Sequence, residues 1–195
     1  KRIQNYMAIY APSLQPKLSD LYETPTETLD MILDHLDPVK HYIWEPFRGT
    51  GHSTRYMAEQ RGFCVTNGDD PDFFQQTIPY QEGMTTVLVS NPPFSLKQQI
   101  LKHLSAKGFY NIALLLPAPV LFTKYFRAYC SVYPVQIIVH TKRCTFLDPS
   151  TGKKCGPASF DVVWICIGLS LPRDLIFPGA LPGSAYGTDD EHNSK

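Results

Sequence analysis

Residues 85–94 read TTVLVSNPPF. The first six, Thr85 to Ser90, are β-branched or apolar almost throughout, the pattern of a strand buried on both faces. The next four break that pattern. Pro92 and Pro93 fix an extended backbone and remove two donors, so the carbonyls around them point in set directions. Asn91 adds a side-chain carbonyl oxygen, and Pro92 a main-chain carbonyl with no N–H of its own. Two acceptors held so close suit an exocyclic NH₂ group. Phe94 offers a flat face for a stacked base, worth roughly 1–3 kcal/mol. A proline turn carrying a core phenylalanine is the plainer reading of the same four residues.

Working outward from this strand, elements of both kinds alternate. Upstream, Thr24 reads as an N-cap, Pro25 as the first helical residue and Glu27 as its capping-box partner. Leu29, Ile32, Leu33 and Leu36 follow at helical spacing, and Asp37-Pro38 ends the helix. HYIWE (41–45) reads as a strand, and the turn Arg48-Gly49-Thr50-Gly51 leads into a helix over about 52–60. Phe63 to Thr66 form the next strand, and 67–84 is loop-like. Downstream, Ser95 reads as the cap of a helix to about Lys107, with Gln98 as its partner. Strands are expected at 110–116, 135–139 and 161–169, a helix at 120–129, and a loop or hairpin at 140–160. Alternation of this kind implies an α/β sheet, mostly parallel and covered by helices on both faces. The loops 45–51 and 91–94 both follow strands, which puts them on one rim, where open α/β sheets bind ligands.

With 195 residues and 43% hydrophobic content, the chain is a single globular domain with a core of ordinary size. Its charge balances, with 18 basic and 18 acidic side chains, so no global field draws it to a polyanion or a membrane. The halves differ, however: residues 1–90 carry a net −5 and residues 91–195 a net +5. The five cysteines are odd in number and form no CxxC, and the histidines show no ligand spacing, so no metal is expected. Cys144 and Cys155 are placed to face each other across the hairpin. No apolar run approaches a membrane span, and reduced thiols point to an intracellular location. The glycine turn lacks both GxGxxG and a following GK[ST], against a dinucleotide fingerprint or a P-loop.

Asn91 to Phe94 resembles the (D/N)PP(F/Y/W) tetrapeptide of class I S-adenosylmethionine-dependent N6-adenine methyltransferases. Other pieces stand in the order that family shows. Tyr22-Glu23-Thr24-Pro25 resembles its YxTP segment, implying that Tyr22, Thr24 and Pro25 contribute to the methionine end of the cofactor site. Glu45-Pro46-Phe47-Arg48-Gly49-Thr50-Gly51 resembles its DPxxGxG cofactor loop, implying that Glu45, Pro46, Phe47, Gly49 and Gly51 line that site. Asp69 resembles the acidic residue on the ribose hydroxyls, though Asp70 beside it is an equal choice. Asp72-Phe73-Phe74 resembles the segment whose carboxylate meets the cofactor adenine amine and whose Phe packs on its ring. Lys142-Arg143…Phe146 and Pro157…Phe160-Asp161 resemble the hairpin after the sixth strand of phage-type DNA adenine methylases. The likeness covers about residues 20–168. It departs from the family at Glu45, usually Asp; at Arg48, usually small or neutral; and at the short interval between 66 and 85.

The resemblance implies a Rossmann-like class I methyltransferase sheet, mostly parallel with an antiparallel last strand; the short interval before residue 85 implies that one edge strand and its helix are missing, with Asp69 and Asp72 in one compact loop. It divides the chain into an N-terminal extension (1–20), a methyltransferase domain (21–175) and a flexible tail (176–195). The expected reaction is methylation of adenine N6 in DNA. Asn91, Pro92, Pro93 and Phe94 are its catalytic set, with Asn91 also beside the cofactor. The alternatives are RNA adenine methylation and an inactive subunit that only binds nucleic acid. Phe94, Lys142, Arg143, Lys153 and Lys154 are the expected nucleic-acid contacts. No segment is large enough for a separate recognition domain, so a protein partner is a further expectation for target choice.

Overall fold

A computed structural model describes residues 22–140, 142–156 and 158–179. The expected extension (1–20), Pro157 and most of the expected tail lie outside the described residues. Among the described residues a seven-stranded sheet forms the core layer, in the order β2-β1-β3-β4-β6-β5-β7. The strands are β1 (His41–Trp44), β2 (Cys64–Thr66), β3 (Thr85–Ser90), β4 (Ile112–Pro117), β5 (Val135–Val139), β6 (Val162–Ile167) and β7 (Leu175–Ile176). β6 runs antiparallel to both β4 and β5; β1 pairs parallel with β2 and β3, β3 with β4, and β5 with β7.

Among the described residues the α-helices are α1 (Thr26–Leu33), α2 (His52–Arg55), α3 (Lys97–Ala106) and α4 (Lys124–Cys130). Alternation along the strands sends side chains to two cores. Ile43, Val87, Val89, Ala113, Leu115 and Trp164 meet Leu29, Ile32 and Leu33 of α1 and Met57 after α2 on one face. Trp44, Leu88, Ile112, Leu114, Val163 and Ile165 meet Ile100, Leu101 and Leu104 of α3 and Phe126 of α4 on the other. A sheet covered on both faces explains the near-continuous apolar runs of its inner strands.

Several local expectations are corrected. Pro25, not Thr24, is the N-cap of α1: its extended backbone (φ −63°, ψ 150°) ends the preceding chain, and Thr24 is buried. Glu27 therefore closes no capping box and instead accepts from Lys154 Nζ at 2.8 Å. Ser95 lies inside a 3₁₀ turn, Phe94–Leu96, which feeds α3 with Leu96 at its cap. α2 widens into a π-helical turn, Tyr56–Gln60, closed by Arg61 N–H donating to the Tyr56 carbonyl at 3.2 Å. The last strand is not β6: two further residues, Leu175 and Ile176, add β7 beside β5.

Residues 67–84 carry neither helix nor strand, so β2 is a bare edge. The connections from β1 lead outward to β2 and then back across to β3. The order therefore reverses between β1 and β3, which makes their carboxyl ends the switch point of the sheet.

Candidate functional site at the switch point

Glu45 follows the last residue of β1, and Ser90 ends β3. Glu45 is only 3% exposed. Its Oε1 accepts from Ser90 Oγ at 2.5 Å and from Phe47 N–H at 3.0 Å. Burial pushes its carboxyl up to about 7, against the pull of those two donors. Pro46 and Phe47 are buried behind it. The turn that follows needs glycine twice, since Gly49 and Gly51 have φ of 55° and 83°. Gly51 N–H donates to the Arg48 carbonyl at 2.8 Å.

Tyr22-Glu23 lies between the two rim loops. Tyr22 presents its carbonyl to Asn91 Nδ2 at 3.4 Å. Glu23 Oε1 accepts from Thr50 N–H at 2.7 Å and also from the Thr50 hydroxyl. Adjacent residues thus touch the proline corner on one side and the glycine bend on the other. The Asn91 Oδ1 atom is shielded from water and has no hydrogen-bond partner among the described residues. Pro92 and Pro93 are buried, and Phe94 is half-buried. The Phe94 ring meets Phe160 edge-to-face at 5.6 Å and Phe146 at 6.3 Å; Phe146 in turn stacks on Tyr22 at 6.1 Å.

Phe146 and Phe160 come from the hairpin segment. Cys155 N–H donates to the Phe146 carbonyl and Ala158 N–H to the Cys144 carbonyl, so its arms pair antiparallel. Leu147 bridges both Lys154 and Glu23, which docks the hairpin onto the segment before α1. Cys144 and Cys155 are free thiols. The hairpin cations divide: Arg143 pairs with Asp161 at 3.5 Å and Lys154 with Glu27. Lys142 and Lys153 are exposed and pair with no carboxylate among the described residues.

On the other side of the glycine bend lies a cleft of about 310 Å³, lined by Pro46, Arg48, Asn67, Gly68, Asp69 and Asp70 among others. Gln76 builds its floor. The Gln76 side chain is 1% exposed; its Oε1 accepts from Trp44 Nε1 at 2.8 Å and its Nε2 donates to the carbonyls of Asn67 and Asp70. Asn67 Nδ2 donates to the Glu45 carbonyl at 2.8 Å and to Thr54 Oγ1 at 2.9 Å. Asp69 gives both carboxylate oxygens to Thr77, which holds its carboxyl below the usual range. Asp70 accepts the Asp72 N–H with one oxygen, and Asp72 accepts the Phe74 N–H.

Phe73 belongs to the core on the α3 side of the sheet. It is 2% exposed and enclosed by Trp44, Phe47, Phe74 and His103. Of Glu23, Ser90, Asn67 and Gln76, which shape the site, only Glu23 fell inside a motif, and none was read as a site residue from the sequence. A larger groove of about 460 Å³ between α3 and α4 shares no lining residue with either rim loop.

No family model matches the chain, and no curated protein does. A solved dimethyladenosine transferase from Plasmodium falciparum is similar in structure, with a TM-score of 0.45 and 12% identity. The likeness covers 74% of this chain and 62% of that one, so the chain spans less than two thirds of that protein's length. A likeness so loose carries no functional argument.

Proposed function

We propose that the chain transfers a methyl group from S-adenosylmethionine to the N6 amine of adenine in DNA. The observation that supports this most is the orphaned Asn91 Oδ1. A buried acceptor without a donor costs about 1–3 kcal/mol, and it stands at the carboxyl end of a switch-point strand. An amine N–H from a substrate supplies the missing partner. The Pro92 carbonyl, next in the chain, takes the second N–H. Held at both protons, the amine loses conjugation with its ring and its lone pair is aimed.

The residues present fit the cofactor. The cleft beside Pro46 is of the size that nucleoside groups occupy, and the glycine bend leaves room for close backbone approach. Asp70 is the better ribose ligand, because Asp69 spends both oxygens on Thr77. Glu45, Gly49, Gly51, Glu23 and Thr50 would hold the amino-acid end, with Tyr22, Thr24 and Pro25 behind them. S-adenosylmethionine supplies the electrophilic methyl group; the protein supplies position. Phe94 closes the base side, backed by Phe146 and Phe160. For a duplex the base must be flipped out.

The likeness of the hairpin to phage-type enzymes favours DNA. The test is tritiated-methyl transfer to matched DNA and RNA oligonucleotides, single- and double-stranded, followed by nucleoside mass spectrometry. N6-methyldeoxyadenosine is the expected product. Product from RNA alone would move the substrate to RNA. Cofactor binding without transfer to any acceptor would leave a non-catalytic binding subunit.

A further inference from the structure

From Asn91 to Leu147 the chain contains no Asp or Glu, yet carries Lys97, Lys102, Lys107, Lys124, Arg127, Lys142 and Arg143. The fold brings part of this stretch to the rim that holds the proline corner. β4 lies beside β3 in register Ser90↔Leu114, so the 3₁₀ turn Ala118–Phe122 that follows β4 emerges one strand away from Asn91. Ala118 N–H donates to the Asp161 carbonyl at 2.8 Å, and Asp161 follows Phe160, which touches Phe94. The turn is therefore continuous with the wall of the base pocket.

Phe122, at the end of that turn, is 80% exposed. Its neighbours Val120 and Phe126 are buried, so the turn is anchored from below and Phe122 is left outside. Lys124 and Arg127 follow at i, i+3 spacing, which puts them on one face of α4, and both are exposed. Among the described residues neither forms an ion pair with a carboxylate. An exposed aromatic ring flanked by unpaired cations is the combination that holds a single strand, with stacking on the ring and phosphates on the cations.

We propose that Phe122, Lys124 and Arg127 form a strand-binding track that leads a single-stranded nucleic acid into the pocket at Asn91. The track rests on the function proposed above and names the form of its substrate. Phe122 stacks the base next to the target, and Lys124 and Arg127 each take one phosphate. Like Lys142 and Lys153 of the hairpin, these two pair with no carboxylate among the described residues, whereas Arg143 and Lys154 are already paired.

The test is fluorescence anisotropy of an adenine-containing single-stranded oligonucleotide across a series of salt concentrations. Cofactor affinity and melting temperature are measured on the same proteins. Phe122→Ala should lower oligonucleotide affinity about tenfold. Lys124→Ala with Arg127→Ala should reduce the slope of log K against log salt by about 1.4, two phosphates at roughly 0.7 each. Lys40→Ala, a cation at the opposite end of β1 paired with Asp37, should leave both unchanged. Cofactor affinity should not move in any of them. Unchanged affinity and slope in the triple variant, with methyl transfer intact, would overturn the track and leave the proposed function standing. Binding that depends on these residues without any methyl transfer would keep the track and overturn the enzyme. A change in oligomeric mass with no change in oligonucleotide binding would assign this face to a second copy of the chain and overturn the track.

Discussion

Ser90 Oγ donates to Glu45 Oε1 at 2.5 Å, joining the ends of β1 and β3 at the point where the strand order reverses. This bond fixes the relative position of the glycine bend and the proline corner. It also holds a carboxyl out of water, and the electrostatic consequence can be measured.

Burial raises the Glu45 carboxyl to about 7 from an ordinary 4.5. A raised carboxyl means that the folded state holds its proton more tightly than the unfolded chain. The stability this contributes is fully present below pH 4.5 and is lost as pH rises to about 7. The loss amounts to about 3 kcal/mol. Glu45→Gln should therefore gain on the wild type between those pH values and hold a constant advantage above them, read by urea denaturation at several pH values. A difference that does not vary with pH would show that Glu45 titrates as an ordinary carboxylate.

Gly68 has φ of 90°, and a Cβ there would stand 2.0 Å from Gln76 Oε1. Gln76 cannot yield cheaply, because it binds Trp44 and two carbonyls at once. Gly68→Ala should cost roughly 2–4 kcal/mol in chemical denaturation and weaken cofactor binding. A variant as stable as the wild type would show that the cleft floor is softer than these contacts imply.

In the hairpin, Lys142 and Lys153 pair with no carboxylate among the described residues, while Arg143 and Lys154 face carboxylates. Lys142→Ala with Lys153→Ala should flatten the salt dependence of oligonucleotide binding more than Arg143→Ala with Lys154→Ala does. Equal effects from the two pairs would mean that the ion pairs open on binding.

Much of the fold was legible because the decisive runs are bounded by rigid residues. TTVLVS stops at Asn91-Pro92, and VQIIV lies between Pro134 and the polar segment that starts at His140, so β3 and β5 follow the sequence pattern. The caps were not legible. Thr24 and Ser95 have the right chemistry, but the neighbouring prolines set the backbone and so decide where α1 and α3 begin. The burial of Phe73 was not legible, because an aromatic residue reads alike whether it faces a ligand or the core. The contacts that assemble the site join residues far apart in sequence: Glu45 to Ser90, Asn91 to Tyr22, Lys154 to Glu27. No local pattern carries them. The loop over 67–84 was readable too, since those residues carry neither helical nor strand periodicity.

The central claim is that Asn91 grips an acceptor amine and does not hold the fold or the cofactor. Its most direct test compares Asn91→Ala with the wild type in methyl transfer to an adenine-containing oligonucleotide, alongside cofactor affinity by calorimetry. The account predicts a loss in turnover of at least about 10²–10³-fold with cofactor affinity nearly unchanged. Full turnover in Asn91→Ala would contradict it.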